Sequence, residues 1–236
     1  MDVNQQAIAT MRAVTISREY GSGGGELAAR LARRLDWQLV DHQIVAEAAH
    51  NLGVHEAVVA AHDEKAGGIL SRVFQWPYPI PPEEAQAYYE ALRRVVLEAA
   101  NTGHAVIVGR GGQVLLADQR DVLHVRVVAP LEQRVAYAVT REGLDTDAAR
   151  KRVQEKDQTR IRYTQTQFHR QPDDAYLYDL VINTAILDLD HVVDQICLAL
   201  EHKASRLSVP VEELGPAAGL THYPSQPADF PVPPQP

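Results

Sequence analysis

The sequence of 236 residues has only one cysteine and no long hydrophobic run. A single cysteine, Cys197, cannot form an internal disulfide or a cysteine-rich metal site. Its apolar helical neighbours predict a buried, unreactive thiol. No stretch approaches the ~20 apolar residues of a membrane-spanning helix, and the N-terminus has no signal-like apolar core. We therefore expect a cytoplasmic protein without a membrane partner.

The chain also lacks an excess of positive charge and any metal-binding histidine pair. Its formal net charge is −8, whereas nucleic-acid-binding proteins usually carry a basic excess, so no nucleic-acid partner is expected. The ten histidines are scattered without an HExxH pair, which argues against a zinc site. Between Leu131 and Arg170 the balance reverses, with nine Lys/Arg against six Asp/Glu.

The two ends of the chain differ from its middle in composition. Residues 1–11 are a polar lead-in that we predict to be disordered. Residues 207–236 end in FPVPPQP and predict a disordered or polyproline tail, because prolines interrupt helix and sheet hydrogen bonding. A plain solvated tail is favoured over a ligand for an SH3-like domain. The folded domain is predicted over residues 12–206.

Inside that domain, apolar runs of strand length alternate with helical patterns. Strands are predicted at residues 13–17, 37–40, 105–108, 122–128 and 179–182. Continuous apolar runs indicate strands buried on both faces, and strand–helix alternation predicts an α/β fold with a parallel five-stranded sheet flanked by helices in three layers. Ligands of such sheets bind beyond the carboxyl ends of the strands.

Residues 41–103, between the second and third strands, are far more than a crossover needs. Helical patterns occur near residues 43–51 and 83–100, with a proline-rich loop at 67–82. The segment is interpreted as a helical insertion that binds the substrate; a packed helical cap without such a role is the alternative.

The strongest single feature is the glycine cluster SREYGSGGGE, between the first strand and a helix predicted from about Glu26 to Leu35. Four glycines in five positions cost backbone entropy, and close approach of backbone N–H groups to an anion explains them. The predicted phosphate-binding residues are Gly21, Ser22, Gly23, Gly24, Gly25 and Glu26. A dinucleotide-binding turn with Asp41 as its acid, and a bare flexible turn, are the alternatives.

The cluster has neither the lysine nor the hydroxyl that usually ends a phosphate loop. The register is ambiguous by one residue, so Gly24 or Gly25 takes the lysine position and Gly25 or Glu26 the hydroxyl position. By analogy with arginine fingers, losing such a charge without compensation would cost about 4–7 kcal/mol of transition-state stabilisation. The candidate replacements are the cation Arg18 and, as possible magnesium ligands, the hydroxyls of Ser17 and Ser22.

Four segments resemble, in the same order, the cytidylate kinase-like family of P-loop nucleoside-monophosphate kinases. They are ISREYGSGGGELAARLA, WQLVDHQIV, VIVGRGGQVLL, and EKDQTRIRY with YDLVINTAIL. The resemblance covers residues 12–206 and implies a P-loop NTPase-type fold. It also implies transfer of the γ-phosphoryl group of ATP to a nucleoside monophosphate, with CMP or dCMP as first guess and Mg²⁺ as cofactor.

The resemblance further implies roles for particular residues. Asp41 and Arg110 correspond to acceptor-binding positions, but Gly111 follows Arg110 where cytidylate kinases have an Asp, which puts cytosine specificity in doubt. Residues 131–170 form the lid region, whose segment 157–162 resembles the mobile lid over ATP. The predicted catalytic residues are Arg18, Arg160 and Arg162, and the predicted further lid arginines are Arg134, Arg141 and Arg152.

Two functions remain open. One is an active kinase in which Arg18 and the lid arginines replace the missing lysine. The other is a nucleotide-binding regulatory or interaction protein of the same fold with little transferase activity. Arg152, Lys156 and Arg160 recur every four residues along one helix face, which favours an anion-binding lid. The alternative for this group is a solvated surface stripe with ion pairs such as Glu155–Lys151.

Overall fold

The computed structural model describes residues 4–41 and 82–215, and within these ranges five strands form one parallel sheet. The strand order is β2-β3-β1-β4-β5. The strands are β1 Ala13–Arg18, β2 Gln38–Val40, β3 Ala105–Val108, β4 Val122–Val128 and β5 Leu180–Asn183. The α/β prediction is confirmed, and each strand begins and ends within one residue of its predicted bounds.

Helices flank the sheet on both sides. They are α1 Gln5–Ile8, α2 Gly24–Leu35, α3 Pro82–Thr102, α4 Gly112–Leu115, α5 Leu131–Glu142, α6 Thr146–Phe168 and α7 Leu189–Ser205, with 3₁₀ turns at Ala175–Leu177 and Val211–Glu213. Helix α2 begins two residues earlier than predicted, because the glycine cluster runs directly into its first turn. None of the helices described combines the length and apolarity needed to span a membrane.

The two faces of the sheet carry separate cores. Helices α2 and α7 pack on one face, where Val14 and Ile16 of β1 are fully buried. Helix α3 and the residues after α4 pack on the other, with Ala13 of β1. Since side chains alternate along a strand, Ser17 lies on the same face as Ala13. Cys197 belongs to the first core, and burial raises the pKa of its thiol to about 11, which agrees with the prediction of an unreactive group.

The lead-in differs from its prediction. Residues 4–11 are ordered against the domain: the Asn4 side chain caps α1, and Ile8 and Met11 are each 1% exposed within the first core. The backbone N–H of Asn4 also donates to Glu201 at 2.8 Å. The prediction of disorder is therefore wrong over residues 4–11, because two apolar side chains three residues apart close the end of the core.

The predicted tail and insertion are described only in part. At the C-terminus, Arg120 donates hydrogen bonds to the carbonyls of Arg206 and Val209, which fastens the start of the tail. Residues 216–236 lie outside the described residues, and so do residues 42–81 of the predicted insertion. The remainder of that insertion is α3, which packs Leu92 and Val96 beneath β3.

Candidate functional site

The candidate site lies at the carboxyl edge of the sheet, where β1 sits between β3 and β4. Strands β3 and β4 pair with opposite edges of β1, so the chain passes from one side of β1 to the other between them. This makes the edge a topological switch point, where ligands of open α/β sheets bind. Two glycine-containing turns meet there: residues 19–23 after β1 and residues 109–111 after β3. The predicted phosphate loop and the predicted Gly-Arg turn therefore share one edge.

The predicted phosphate loop has left-handed backbone at two of its glycines. Gly21 and Gly23 have φ values of +80° and +79°, a region that suits glycine, and a Cβ on Gly21 would lie 2.6 Å from the Arg134 carbonyl oxygen. Gly23 is the N-cap of α2 and provides no side-chain cap. The first-turn N–H groups of Gly24, Gly25 and Glu26 therefore have no acceptor within the helix, which is the arrangement that favours anions at helix N-termini.

The two candidate lysine positions differ sharply in the space around them. A Cβ on Gly24 would lie 2.6 Å from Cβ of Arg18, whereas a Cβ on Gly25 would meet nothing within 4 Å. Arg18 thus fills the space beside Gly24, and its Nη1 occupies the position that a Cβ on Gly109 would take. The Arg18 side chain therefore reaches from β1 to the turn after β3, across the mouth of the site.

The two hydroxyls considered for magnesium are both engaged within the protein. Ser22 is 2% exposed and donates to the Glu19 carbonyl at 2.9 Å. Ser17 Oγ accepts from Arg126 at 3.2 Å and lies 3.1 Å from the Tyr178 hydroxyl, so a guanidinium occupies its surroundings. These contacts speak against either serine as a metal ligand. In the residues that the structure describes, no group of three or more His, Cys, Asp or Glu could hold a metal ion.

Glu26 does not offer its side chain to a phosphate. Its carboxylate accepts from Arg30 at 2.6 Å and from Arg141 at 3.1 Å, and the hydrogen bond from Arg30 chiefly lowers the pKa of the carboxyl. An ionised carboxylate repels phosphate, so the predicted phosphate contact of Glu26 is restricted to its backbone N–H.

The three further lid arginines make ion pairs with the protein's own carboxylates in this structure. Arg134 is 8% exposed, donates to Asp157 at 2.5 Å, and also donates to the Tyr20 carbonyl at 3.1 Å. Arg141 pairs with Glu26, and Arg152 pairs with Glu142 at 3.3 Å. Arg134 joins α5 to the loop and to α6, Arg141 joins α5 to α2, and Arg152 joins α6 to the end of α5.

The loop and the lid helices share a small core of their own. Tyr20 packs against the cluster of Val135, Ala138, Ala149 and Val153 on α5 and α6. Its N–H donates to Asp157 at 2.8 Å and its hydroxyl donates to Glu142. Burial, followed by the Glu142 hydrogen bond, raises the pKa of the Tyr20 phenol to about 12. The predicted lid is therefore attached to the phosphate loop through Tyr20.

The two predicted catalytic residues on α6 point to different sides of the helix. Arg160 donates to the Arg18 carbonyl at 3.0 Å and lies 5.3 Å from the ring centre of Tyr20, so it is beside the loop. Arg162 is exposed, and residues two apart on a helix point about 200° apart around its axis. The structure brings Arg18 and Arg160 together and leaves Arg162 on another side of α6.

The two predicted acceptor residues flank the other side of the edge. Arg110 is half-buried with φ of +56°, and its carbonyl accepts from the Tyr163 hydroxyl at 3.3 Å. Asp41 follows β2 directly and is half-buried. Next to Arg110, the ring of Phe168 occupies the position that a Cβ on Gly111 would take. An Asp cannot stand at position 111 unless Phe168 moves, which explains in physical terms why this chain has glycine there.

Sequence reasoning missed several residues at this edge. Arg126 and His124 are polar side chains at alternate positions of β4, buried to 8% and 6% exposure. Thr15 Oγ1 lies 2.8 Å from Nδ1 of His124, and burial lowers the pKa of that imidazole. The signal was present in VLHVRVV, where period-2 polar residues interrupt an otherwise apolar strand.

The sheet order and the glycine loop after β1 define a protein with the P-loop kinase type of fold. Residues 13–186 match the Cytidylate kinase-like family, and the chain belongs to that family.

Individual relatives are similar at modest identity. The chain is 31% identical over 103 residues to a uronate isomerase from Corynebacterium glutamicum and 32% identical over 96 residues to a cytidylate kinase from Methanopyrus kandleri. These matches cover 44% and 37% of this chain, and they span only 20% and 50% of those two proteins. A cytidylate kinase from Ignicoccus hospitalis is 26% identical over 188 residues, 79% of this chain and 97% of that protein.

A solved structure supports the fold independently. An uncharacterized protein from Eubacterium ventriosum superposes with a TM-score of 0.60 at 20% identity, covering 80% of this chain and 98% of its own. At this identity the likeness shows a shared fold and carries no statement about activity.

Proposed function

We propose that this protein is a nucleoside-monophosphate kinase that moves the γ-phosphoryl group of ATP to CMP or dCMP. The observation that carries the proposal is the position of Arg18, whose side chain fills the space beside Gly24, one of the two lysine positions. A guanidinium is permanently charged, and a cation beside the loop is what the glycine sequence otherwise lacks. The cytidylate kinases among the relatives support the choice of acceptor.

The role of the loop follows from its open N–H groups. Those of Gly24, Gly25 and Glu26 would bind β- and γ-phosphate oxygens at the N-terminus of α2. Magnesium, held by nucleotide oxygens and water, would neutralise part of the phosphate charge. An oxygen of the acceptor phosphate attacks the γ-phosphorus while the bond to the β-phosphate oxygen breaks. That oxygen is already anionic near neutral pH, so no strong general base is needed.

Two arginines would stabilise the transferred group. Arg18 lies across the mouth of the site, and Arg160 reaches its backbone from α6. Both side chains lie next to the loop amides, where the charge of the transferred phosphoryl group would be greatest. Arg162 is less suited to this role, because it is exposed on another side of the helix.

The acceptor would lie on the side of Arg110 and Asp41. Three aromatic rings stand beside Arg110: Tyr89 and Phe168 each lie with their ring centres 5.7 Å from that of Tyr163. A nucleobase could stack at this aromatic group, while the ring of Phe168 takes the place of the Asp that follows the arginine in cytidylate kinases. We therefore expect CMP to be the best acceptor by a modest margin over UMP and AMP.

The proposal is tested by ADP release from Mg-ATP with purified protein and each monophosphate in turn. We expect weak but measurable turnover, highest with CMP, and a loss of about 10³-fold or more in kcat for Arg18→Met. Arg33→Met, an exposed arginine at the end of α2, is the matched control and should retain wild-type turnover. Tight ATP binding without turnover on any acceptor would favour the nucleotide-binding regulatory or interaction protein instead.

A further inference from the structure

A second buried arginine lies on the face of the sheet that α3 and α4 cover. Arg126, in β4, is 8% exposed and stands opposite Ser17 in the parallel register of β1 and β4. Side chains alternate along a strand, so Arg126 and Ser17 share the face of Ala13 and Val122, whose core contains α3. Helix α2 and its phosphate-binding N-terminus pack on the opposite face.

Arg126 has no carboxylate partner among the residues described. Its Nη1 donates to Ser17 Oγ at 3.2 Å, and its guanidinium carbon lies 5.8 Å from the ring centre of Tyr178. A hydroxyl and an aromatic ring do not neutralise a full positive charge. Because a buried charge without a counterion is unfavourable, such a group ordinarily pairs with an acid or with a ligand.

The guanidinium of Arg126 is also not fully sealed from solvent. Within the described ranges its remaining N–H groups have no hydrogen-bond partner, and they are not among the polar atoms sealed from solvent. A guanidinium presents its donors as a planar fork that matches two oxygens of a phosphate. Ser17 immediately precedes Arg18, so an anion held on this pair would lie next to the phosphate loop.

We propose that Arg126 and the Ser17 hydroxyl bind the phosphate of the acceptor nucleotide. The position suits in-line transfer, because the acceptor phosphate must approach the γ-phosphoryl group from the side opposite the leaving ADP. The identity of the ligand as a nucleoside monophosphate rests on the proposed function. The presence of an anion site rests on a buried charge that has no acid partner among the described residues.

The test is calorimetric titration of the full chain with CMP, cytidine and ATP separately, for wild type, Arg126→Met and the control Arg33→Met. We expect Arg126→Met to weaken CMP binding about 10- to 100-fold, with cytidine and ATP affinities within about twofold of wild type. The control should bind all three ligands as the wild type does. An unchanged CMP affinity, an equal loss for ATP and CMP, or no CMP binding by the wild type overturns the inference.

The conservative variant covers the case in which Arg126→Met does not fold, as judged by circular dichroism. Arg126→Lys keeps the charge and loses the fork, so it should weaken CMP binding about three- to tenfold, and an unchanged affinity contradicts the site. The two proposals fail separately. If CMP binding depends on Arg126 but no phosphoryl transfer occurs, the kinase proposal is wrong and the anion site stands. If transfer occurs and Arg126→Met leaves the CMP affinity unchanged, the anion site is wrong and the kinase proposal stands.

Discussion

Arg134 and Arg126 are equally buried, each 8% exposed, yet their surroundings are opposite. Arg134, between the loop and the lid helices, has Asp157 at 2.5 Å and Glu19 at 3.4 Å. Arg126, under the face covered by α3 and α4, has a serine hydroxyl and a tyrosine ring. The first charge is neutralised by the chain itself, whereas the second has no acid partner among the residues described.

The difference separates two uses of the same side chain. On the lid side, an arginine with two acids contributes to assembly of the loop with α5 and α6. On the proposed acceptor side, the Arg126 charge adds little to stability when no ligand is bound, as expected of a group that serves to bind an anion. The contrast predicts that removing Arg134 chiefly affects stability, while removing Arg126 chiefly affects binding.

The largest expected effect is the loss of Arg134. Arg134→Met should lower the free energy of unfolding by about 3 kcal/mol, because Asp157 and Glu19 lose their cationic partner and the Tyr20 and Ala129 carbonyls each lose a donor. Urea denaturation followed by circular dichroism measures it. Arg126→Met should change the same free energy by less than about 1 kcal/mol.

A matched control is the exposed pair of Arg150 and Glu132, whose nitrogen and oxygen are 2.6 Å apart. Arg150→Met should destabilise the protein much less than Arg134→Met, because exposed ion pairs contribute little to stability. If Arg126→Met proved as destabilising as Arg134→Met, the distinction between the two buried arginines would be wrong.

The next effect concerns Gly111, on the acceptor side. Gly111→Asp should lower the free energy of unfolding by about 2 kcal/mol, because φ is +72° and the new Cβ would collide with the ring of Phe168. Gly143→Asp is the control, since Gly143 has φ of +67° and open space around it.

The collision can be separated from the backbone strain by a double-mutant cycle. Adding Phe168→Ala should recover part of the loss for Gly111→Asp and nothing for Gly143→Asp. Equal losses for the two aspartates, by urea denaturation, would show that Phe168 does not restrict position 111.

Much of this architecture was predictable, and the limits have physical causes. The strands could be read from continuous apolar runs, and the glycine loop from its composition, because both signals are local. The roles of individual arginines could not be read, since each depends on partners far away in sequence: Arg134 on Asp157, and Arg126 on Ser17. The order in residues 4–11 was missed because its two apolar anchors, Ile8 and Met11, are too few to form a pattern.

A smaller effect is expected from restoring a cation to the loop. Gly25→Lys should raise kcat about tenfold, because nothing lies within 4 Å of the new Cβ and the side chain starts in the first turn of α2. Gly24→Lys is the informative control: its Cβ would lie 2.6 Å from that of Arg18, so turnover should fall. The measurement is ADP release with CMP as acceptor. A rise for Gly24→Lys would assign the lysine position to the other register.

The smallest expected effect comes from His124, a neutral neighbour of Arg126 on β4. Burial first, and then Lys203, lower the pKa of its imidazole, while Asp179 opposes them. The unfolded chain therefore takes up a proton near the ordinary histidine pKa of about 6.5 before the folded protein does. The difference in proton uptake by His124 has no effect on stability well above that pH. It lowers the free energy of unfolding as the pH falls toward the pKa of His124 in the folded protein.

Across that window the loss should be no more than about 1.4 kcal/mol per pH unit, the value for one proton. Urea denaturation of wild type and His124→Asn measures the contribution of His124 to the free energy of unfolding. The pH range of 7.5 to 5 is chosen to bracket the ordinary histidine pKa of about 6.5. We expect the wild type to lose more stability than the variant as the pH falls. Parallel pH profiles would mean that His124 can take up a proton while folded, and the face it shares with Arg126 would then tolerate a second positive charge without an anion.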